Sequence, residues 1–435
     1  MTLLEPPHFD GVPRQVRQDD NEIAIWELAE GSDAERTYAC IAVCLNDNRN
    51  WPAFGGTRIR HSESPAFWED VRHETITVAK SLERKFRMLR RAAGVSNRTS
   101  GLFGFRGGKG LIWTPHDRSA EPRRLLAYGR LLESLQGEFF ASIDVNVGNA
   151  ELRWIEQVTS YTIGNRATRY MSEATAIGIR QGIRSTLIQL DVPAEKLRQP
   201  LGNVDVLICG LGKVGFPLLR LLEQGGANVL IYDPSILEND PSGHFELRRR
   251  GGAQITSDDL NRLLAADADG RVFQTEESAL DWIFIGDDER RPIRILCPAT
   301  GEVGWLKTRC ERLSGGKHDG PKIILGPANN QIDVLDETPD QEVIDALTKA
   351  DVTLIPDSVV NSGGVISGCH ELALEWCEEA VRNDVERVID NGITMLFNEA
   401  GSRHADDVHK AFFRMIQDDG LEAMTSKMSS GMVSA

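Results

Sequence analysis

The stretch VDVLICGLGKVGFPLLRLLEQGGANVLIYD, residues 204–233, determines the expected fold of the second half of the chain. An apolar run of strand length leads into three glycines spaced as G-x-G-x-x-G. An apolar segment of helix length follows, and a second apolar run ends at Asp233. Strand, glycine turn, helix and strand in this order form a βαβ unit with parallel strands. The pattern therefore predicts an open, doubly wound parallel sheet.

Each glycine of this turn has a separate task in a dinucleotide-binding unit. The first permits the tight turn, the second lets a pyrophosphate approach the backbone, and the third allows the helix to pack on the strand. Asp233 lies 18 residues past the last glycine, where it can accept hydrogen bonds from ribose hydroxyls and would repel a 2′-phosphate. The stretch thus predicts NAD rather than NADP, bound by Gly210, Leu211, Gly212, Lys213, Val214, Gly215 and Asp233.

Three later segments, residues 293–301, 322–331 and 351–364, each run apolar and then break at Pro, Gly or Asn. In an open parallel sheet, ligands bind beyond the carboxyl ends of the strands. Any one segment could be a simple strand-ending turn, but three in succession behind the glycine motif favour one cofactor cleft. Its predicted lining includes Ala299, Asn330 and Asn361.

The first half must supply the remaining chemistry. Two strand-like runs within 22–45 predict a hairpin, and residues 65–93 predict one long charged helix. The run GLFGFRGGKGLIW (101–113) resembles a phosphate loop, but Gly110 follows Lys109 where that motif needs Ser or Thr. A lysine in so bare a setting can instead lose its proton near neutral pH when substrate desolvates it. Lys109 and Asp144 are therefore candidate acid–base groups, although most such residues at turns are merely solvated.

Composition narrows the class of protein. A chain of 435 residues is expected to form two domains, and its net charge of −16 argues against a nucleic-acid or anionic-membrane partner. Seven cysteines without a C-x-x-C pair indicate free thiols and no zinc site. No apolar segment reaches about 18 residues, and the N-terminus lacks a signal-peptide pattern. We expect an unexported, cytoplasmic protein.

Taken in order, the motifs over residues 50–400 resemble the Glu/Leu/Phe/Val dehydrogenase family, and are most similar to its leucine and phenylalanine dehydrogenase branch. No single motif is decisive, but their ordered set is specific. The matching segments are FGGTR (54–58), GGK (107–109), YGRLLESLQGEFFASIDVNVG (128–148), SEATAIGIRQGI (172–183), GLGKVG (210–215), CPATG (297–301), GPANNQ (326–331) and PDSVVNSGGVIS (356–367).

The resemblance implies reversible oxidative deamination, in which an L-amino acid, NAD and water give a 2-oxo acid, ammonium and NADH. By the family pattern Lys109 activates water and Asp144 moves protons to and from the amino group. Gly55 and Gly56 let substrate approach the backbone, while Thr175, Asn330 and Asn361 lie around the nicotinamide and the substrate. The resemblance also implies a homo-oligomer. The expected domains are residues 1–172 for substrate, 173–380 for the dinucleotide, and 381–435 as helices packing back on the first domain.

Two departures from the family pattern affect the substrate. The family places a second lysine, which holds the substrate carboxylate, about twelve residues before the catalytic one, where this chain has Asn97. Lys85 could serve instead, Arg98 could replace it, or carboxylate binding could be lost; Lys85 could equally be a surface residue. Glutamate dehydrogenases carry a lysine where this chain has Phe54, which favours an apolar amino acid. Ser142 and the segment 388–396 are expected to shape the rest of the pocket.

Three functions are therefore compatible with the sequence. The first is an NAD-dependent dehydrogenase of an apolar L-amino acid. The second is a diverged relative that acts on another amine or amino acid of a biosynthetic pathway. The third is a non-catalytic NAD-binding homologue. A cation within reach of a substrate carboxylate beside Lys109 would favour the first.

Overall fold

The computed structural model describes residues 7–8, 10–18, 22–31, 36–45, 51–64, 66–94, 102–115, 122–163, 165–192, 201–202, 204–234, 257–285, 293–301, 304–309, 312, 322–329, 331–332, 334–335, 338–373 and 376–417. Two predicted site residues, Arg98 and Asn330, lie outside these ranges. No helix within these ranges is both long and apolar enough to cross a membrane. The six cysteines in these ranges are free thiols.

A mixed six-stranded sheet forms the N-terminal half. Its strands cross the sheet in the order β1-β2-β3-β5-β4-β6. The strands β2 and β3 pair antiparallel, which confirms the predicted hairpin, and β4 runs parallel to both β5 and β6. The strands are β1 Arg14–Gln18, β2 Ile23–Glu30, β3 Thr37–Cys44, β4 Ala53–His61, β5 Arg106–Thr114 and β6 Phe139–Ser142.

Helices cover both faces of this sheet. Ile41 of β3 belongs to the apolar cluster under helix α2 (Pro122–Ser134), whereas Cys40 and Ala42 belong to the cluster under helix α1 (Phe67–Ala93). Successive strand residues point to opposite faces, so a strand covered on both sides is apolar throughout. All eight residues of β3 are accordingly buried. The long charged helix predicted over 65–93 is confirmed as α1.

The strand registers bring the predicted catalytic residues together. Thr57 of β4 is opposite Gly110 of β5, so Gly56 and Lys109 are neighbours across these two strands. On the other side, Gly56 is opposite Ser142 of β6. Asp144 follows two residues later and precedes the short helix α3 (Asn149–Ile155). Three parallel strands therefore place Lys109 and Asp144 on either side of the paired glycines.

The C-terminal half contains the predicted parallel sheet, with strand order β13-β10-β9-β7-β8. A single parallel bridge from Ile231 to Val272 continues the sheet beyond β8. The order reverses between β7 and β9, and ligands of doubly wound sheets bind at such a point. The strands are β7 Val204–Cys209, β8 Asn228–Tyr232, β9 Ile293–Pro298, β10 Lys322–Ile324 and β13 Val352–Leu354, with a separate hairpin of β11 Val334–Leu335 and β12 Thr338–Pro339.

The remaining helices flank this sheet and connect it to the N-terminal half. Helix α4 (Asn165–Gln189) begins eight residues before the predicted segment 173–190, since the segment NRATRYM is also helical. Helix α11 (Glu378–Ala400) packs against α1, and its Asn391 side chain donates to the Ala92 carbonyl at 3.1 Å. The domain boundaries stay a prediction. These helices are α4 Asn165–Gln189, α5 Gly215–Gln224, α6 Ser257–Ala268, α7 Glu276–Ile285, α8 Gln341–Lys349, α9 Asp357–Val360, α10 Gly363–Ala373, α11 Glu378–Ala400 and α12 Ala405–Gln417.

Candidate active site

A cleft of about 150 Å³ lies between the two halves. Its lining comes from β4, β5, β6 and the turn after it, helices α1, α4 and α10, and the loops after β10 and α9. Six predicted catalytic and substrate-binding residues meet in this lining: Gly55, Gly56, Lys85, Lys109, Asp144 and Asn361.

Lys109 is buried at the base of the cleft, with 2% of its surface exposed. Its ammonium group donates a hydrogen bond to Oδ2 of Asp144. Burial removes the ammonium group from water and lowers the pKa of Lys109 to about 8, although the charge of Asp144 opposes that shift. A lysine with this pKa can gain or release a proton close to neutral pH.

Asp144 is held by two cations. Its Oδ2 also accepts a hydrogen bond from Nε of Arg58 at 2.9 Å. Burial alone would raise the pKa of the Asp144 carboxyl, but the charges of Arg58 and Lys109 outweigh it and hold the pKa well below its ordinary range. Asp144 is therefore a carboxylate at neutral pH.

The turn that carries Asp144 is fixed from both sides of the cleft. Asp144 and Val147 exchange backbone hydrogen bonds of 3.2 Å, which close the turn. From the cofactor side, Nζ of Lys213 lies 3.2 Å from the backbone oxygen of Asp144. The glycine turn and the candidate acid–base pair therefore meet at one place.

Lys85 lies in the cleft, 7% exposed, so the alternative that it is a surface residue is wrong. Burial lowers the pKa of Lys85, while the charges of Asp357 and Asp144 oppose that shift. Its Nζ donates to Oδ1 of Asn329 at 2.6 Å, and Asn361 donates to the same oxygen at 3.1 Å. One amide of the cofactor half thus links both residues.

The paired glycines line the cleft and also permit close packing beside it. A Cβ atom on Gly55 would lie 1.9 Å from the carbonyl oxygen of Gly108, and one on Gly56 would lie 2.7 Å from Cβ of Asp144. Glycine at these positions therefore allows β4, β5 and the Asp144 turn to pack closely. The approach of substrate to the backbone of these glycines stays a prediction.

Part of the cleft lining is apolar. Phe54 packs edge-on against Phe86 and Phe105, with ring centroids 5.4 and 6.0 Å away. Ser142 lines the cleft as expected, but the segment 388–396 does not, because it packs on α1, where Gly392 meets Met88. The apolar lining comes instead from Phe54, Val78, Leu82, Ile143, Met171 and Val365.

The glycine turn has the geometry that a dinucleotide requires. Gly210 has a φ of +109°, and a Cβ on Gly215 would lie 2.2 Å from the Gly210 oxygen, so the first and third glycines are needed by the fold. A Cβ on Gly212 would meet nothing within 4 Å, which leaves its backbone open at the N-terminus of α5. Asp233 accepts a hydrogen bond from the amide of Leu211 at the same turn. The described residues therefore fit a nicotinamide dinucleotide.

Of the other predicted cofactor residues, the structure describes Ala299, which lies beside this turn, and Thr175, which lies at a helix contact. The carbonyl oxygen of Ala299 would be 2.8 Å from a Cβ on Gly210. The hydroxyl of Thr175 donates to the Met171 carbonyl at 2.8 Å and accepts from the amide of Gly364 at 3.0 Å. It therefore sits where α4 meets α10, at the edge of the cleft.

Arg58 is a site residue that the sequence did not predict, although it belongs to the segment FGGTR. Asn329 belongs to GPANNQ, a segment that was predicted to line the cleft, but its contact with Lys85 was not predicted. The signal for Arg58 was available, because Arg58 and Gly56 are two residues apart on one strand and face the same way. The pairing of Asn329 with Lys85 spans 244 positions and has no sequence signal.

Comparison with known proteins gives a consistent set of relatives. L-tryptophan dehydrogenase of Nostoc punctiforme is 26% identical over 382 residues, which cover 84% of this chain and 88% of that protein. Leucine dehydrogenase of Bacillus subtilis is 24% identical over 358 residues, covering 80% and 81%. Valine dehydrogenase of Streptomyces coelicolor is 25% identical over 340 residues, covering 76% and 75%. No protein-family model matches the chain.

Solved structures share the fold. The crystal structure of the Nostoc punctiforme L-tryptophan dehydrogenase superposes with a TM-score of 0.57 at 23% identity, over 88% of this chain and 93% of that one. A mutant of glutamate dehydrogenase superposes with a TM-score of 0.59 at 16% identity, over 92% and 87%. The two-domain α/β architecture is thus shared along almost the whole chain.

Proposed function

This chain is an oxidoreductase related to the Glu/Leu/Phe/Val amino acid dehydrogenases, and we propose that it catalyses the NAD-dependent oxidative deamination of an apolar L-amino acid. The observation that carries the proposal is the contact between Lys213 and the Asp144 carbonyl, 3.2 Å long. It joins the dinucleotide turn to a buried lysine–aspartate pair. A cofactor bound at the turn and a substrate bound against the pair would share one cleft.

The chemistry assigned to the chain's residues follows from their protonation. Bound NAD supplies the hydride acceptor for the Cα–H of the amino acid, which leaves an iminium on the substrate. Neutral Lys109 takes a proton from water as that water attacks the iminium carbon. Asp144 accepts a proton from the substrate amino group at the start and returns it to the nitrogen of the tetrahedral adduct that water forms. Cleavage of the C–N bond then releases ammonia, which takes the adduct's hydroxyl proton to become ammonium, and Lys109 gives its proton to solvent. Lys109 is 2% exposed, so bulk water weakens its interactions little.

The substrate carboxylate requires a cation close to Lys109. Lys85 is a buried lysine in the same cleft, and its partner Asn329 is a neutral amide that a substrate carboxylate can displace. We therefore assign Lys85 to the substrate carboxylate. The Asn361 side chain, whose buried Oδ1 lacks a hydrogen-bond partner among the described residues, is assigned to the substrate amino group.

Replacing Lys85 by methionine should raise KM for the amino acid by about 10²-fold with a smaller change in kcat, because one charge-assisted bond to the substrate is lost. Initial rates at varied amino acid concentration measure this. Lys80→Met is the matched control, because Lys80 lies on the same helix and binds the exposed Glu22 at 3.3 Å. An unchanged KM in Lys85→Met would exclude Lys85 as the carboxylate-binding residue.

The apolar lining of the cleft indicates which class of amino acid side chain the substrate carries. Within the lining, the cations are Arg58, Lys85 and Lys109, and each has a partner or an assigned role. Phe54 occupies the position at which glutamate dehydrogenases have a lysine. A second carboxylate would therefore be desolvated there without a counter-charge, which is costly. An aliphatic or aromatic substrate side chain suits the apolar part of the cleft.

The oligomeric state of the protein stays a prediction.

The preference for NAD is assigned to Asp233. Its carboxylate already accepts a hydrogen bond from Leu211, so the charge is fixed beside the turn. Asp233→Ser keeps an acceptor and removes the charge, and it should raise the ratio of kcat/KM for NADP to that for NAD by about tenfold or more. Kinetics with each cofactor at fixed amino acid measure the ratio. An unchanged ratio would mean that Asp233 does not select the cofactor.

The reaction itself is tested by product stoichiometry. Purified protein, NAD and one apolar L-amino acid should yield NADH, ammonium and 2-oxo acid in equal amounts. NADH is read by its absorbance, ammonium by a coupled assay, and the oxo acid by chromatography. NADH formed without ammonium would indicate oxidation of another group, and cofactor binding without turnover on any amino acid would favour a non-catalytic protein.

A further inference from the structure

Two cations share one oxygen of the candidate catalytic carboxylate. Lys109 and Nε of Arg58 both donate to Oδ2 of Asp144, the second at 2.9 Å. Their charges are thus no more than two hydrogen-bond lengths apart. Arg58 is 4% exposed, so little solvent screens it from Lys109.

Arg58 is fixed independently of Lys109. Its NH1 donates to Glu74 of α1 at 3.0 Å, and Glu74 also accepts from Arg60 at 2.9 Å. Arg58 and Gly56 lie two residues apart on β4, where the missing side chain of Gly56 makes room for Asp144. Strand β4 therefore makes room for the Asp144 carboxylate at Gly56 and binds it through Arg58, the next residue on the same face.

The two cations differ in what they can do. A guanidinium stays protonated at any physiological pH, whereas an ammonium can lose its proton. When Lys109 is neutral, Asp144 loses one of its two counter-charges but keeps that of Arg58. The carboxylate then remains ionised and in place for its own proton transfer.

We propose that Arg58 is a positioning residue of the reaction, which anchors Asp144 and makes it easier for Lys109 to release a proton. The role of Arg58 in catalysis rests on the proposed function. The charge coupling on which it depends can be measured without turnover. The charged groups that act on Lys109 are Asp144, Arg58 and Glu74, and those that act on Asp144 include Lys85 and Lys213.

The sign of the expected effect follows from these charges. Arg58 repels a proton on Lys109, whereas Asp144 and Glu74 attract one. Arg58→Met removes the repulsion and keeps both carboxylates, so the pKa of Lys109 should rise by about one unit or more. Arg58→Lys retains the positive charge, so the pKa of Lys109 should stay near its wild-type value. Arg60→Met is the matched control, because Arg60 shares Glu74 with Arg58 without contacting Asp144.

The test uses the full-length protein and two readouts. The first is the pH dependence of acetylation of Lys109 by acetic anhydride, read by peptide mass spectrometry, with the exposed Lys410 as internal reference. The second is the pH profile of kcat/KM for the amino acid. We expect both midpoints to move to higher pH in Arg58→Met, with Arg58→Lys and Arg60→Met close to wild type.

Three outcomes separate the possibilities. An unchanged midpoint in folded Arg58→Met, judged by cofactor binding, would overturn the proposal, as would an equal shift in Arg60→Met. A midpoint that moves to higher pH in Arg58→Met but stays close to the wild-type value in Arg58→Lys would support the proposal. If the acetylation midpoint shifts while the wild-type protein deaminates no amino acid, the charge coupling stands and the proposed function fails.

Discussion

Lys109→Ala should lower kcat for amino acid oxidation by about 10³-fold or more, because the group that deprotonates the attacking water is removed. Burial lowers the pKa of Lys109 to about 8, so its neutral, active fraction in the wild type grows as pH rises through that value. Wild-type kcat/KM should therefore climb toward alkaline pH. The residual rate of the variant should lack this dependence. Both are measured by NADH absorbance across a pH series.

Lys109→Arg distinguishes proton transfer from simple charge. Arginine preserves the positive charge opposite Asp144 but cannot release a proton near neutral pH. It should therefore be almost as inactive as Lys109→Ala. NADH binding, followed by fluorescence, should persist in both variants, because Lys109 lies outside the glycine turn. If Lys109→Arg kept most of the activity, Lys109 would be acting as a fixed charge and the proposed mechanism would be wrong.

Asp144→Asn should lower kcat by about 10²- to 10⁴-fold while NADH still binds, because the amide has nearly the shape of the carboxylate but cannot accept a proton. The substitution also leaves Lys109 without its counter-charge, so the pKa of Lys109 should fall further. Turnover and cofactor fluorescence, measured on the same preparation, check the loss of kcat and the retained NADH binding.

Asp144→Glu is the informative companion variant. It retains the charge, but the site is crowded: a Cβ on Gly56 would come within 2.7 Å of Asp144. The longer side chain would displace the carboxylate from the oxygen position that Arg58 and Lys109 share. We expect Asp144→Glu to recover less than a tenth of wild-type kcat. Full activity in either variant would remove Asp144 from the catalytic machinery.

The sequence was most informative where one residue type satisfies a local backbone requirement. Gly210 is needed at a positive φ and Gly215 where helix meets strand, and both were assigned from spacing alone. The apolar runs of β7 and β8 predicted a parallel sheet, because strands covered on both faces lack polar alternation. These features are local, so they leave a pattern in the chain.

Contacts between the two halves left no such pattern. The bond from Lys85 to Asn329 and that from Lys213 to Asp144 each join separate elements. The packing role of Gly55 and Gly56 could not be predicted either, since a glycine in the sequence does not reveal whether protein or ligand fills the space beside it. The segment 388–396 was placed at the pocket, but it packs on α1, because an apolar helix face gives no indication of which surface it covers.

The most direct measurement is a comparison of kcat/KM for NADH formation across L-leucine, L-valine, L-phenylalanine, L-tryptophan and L-glutamate. With NAD and wild-type protein, we predict turnover of at least one apolar amino acid, with kcat/KM at least about 10²-fold above that for glutamate, since a second carboxylate would be buried beside Phe54 without a partner. The same activity should fall by about 10³-fold or more in Lys109→Ala. A preference for glutamate, or equal rates in wild type and Lys109→Ala, would contradict the account.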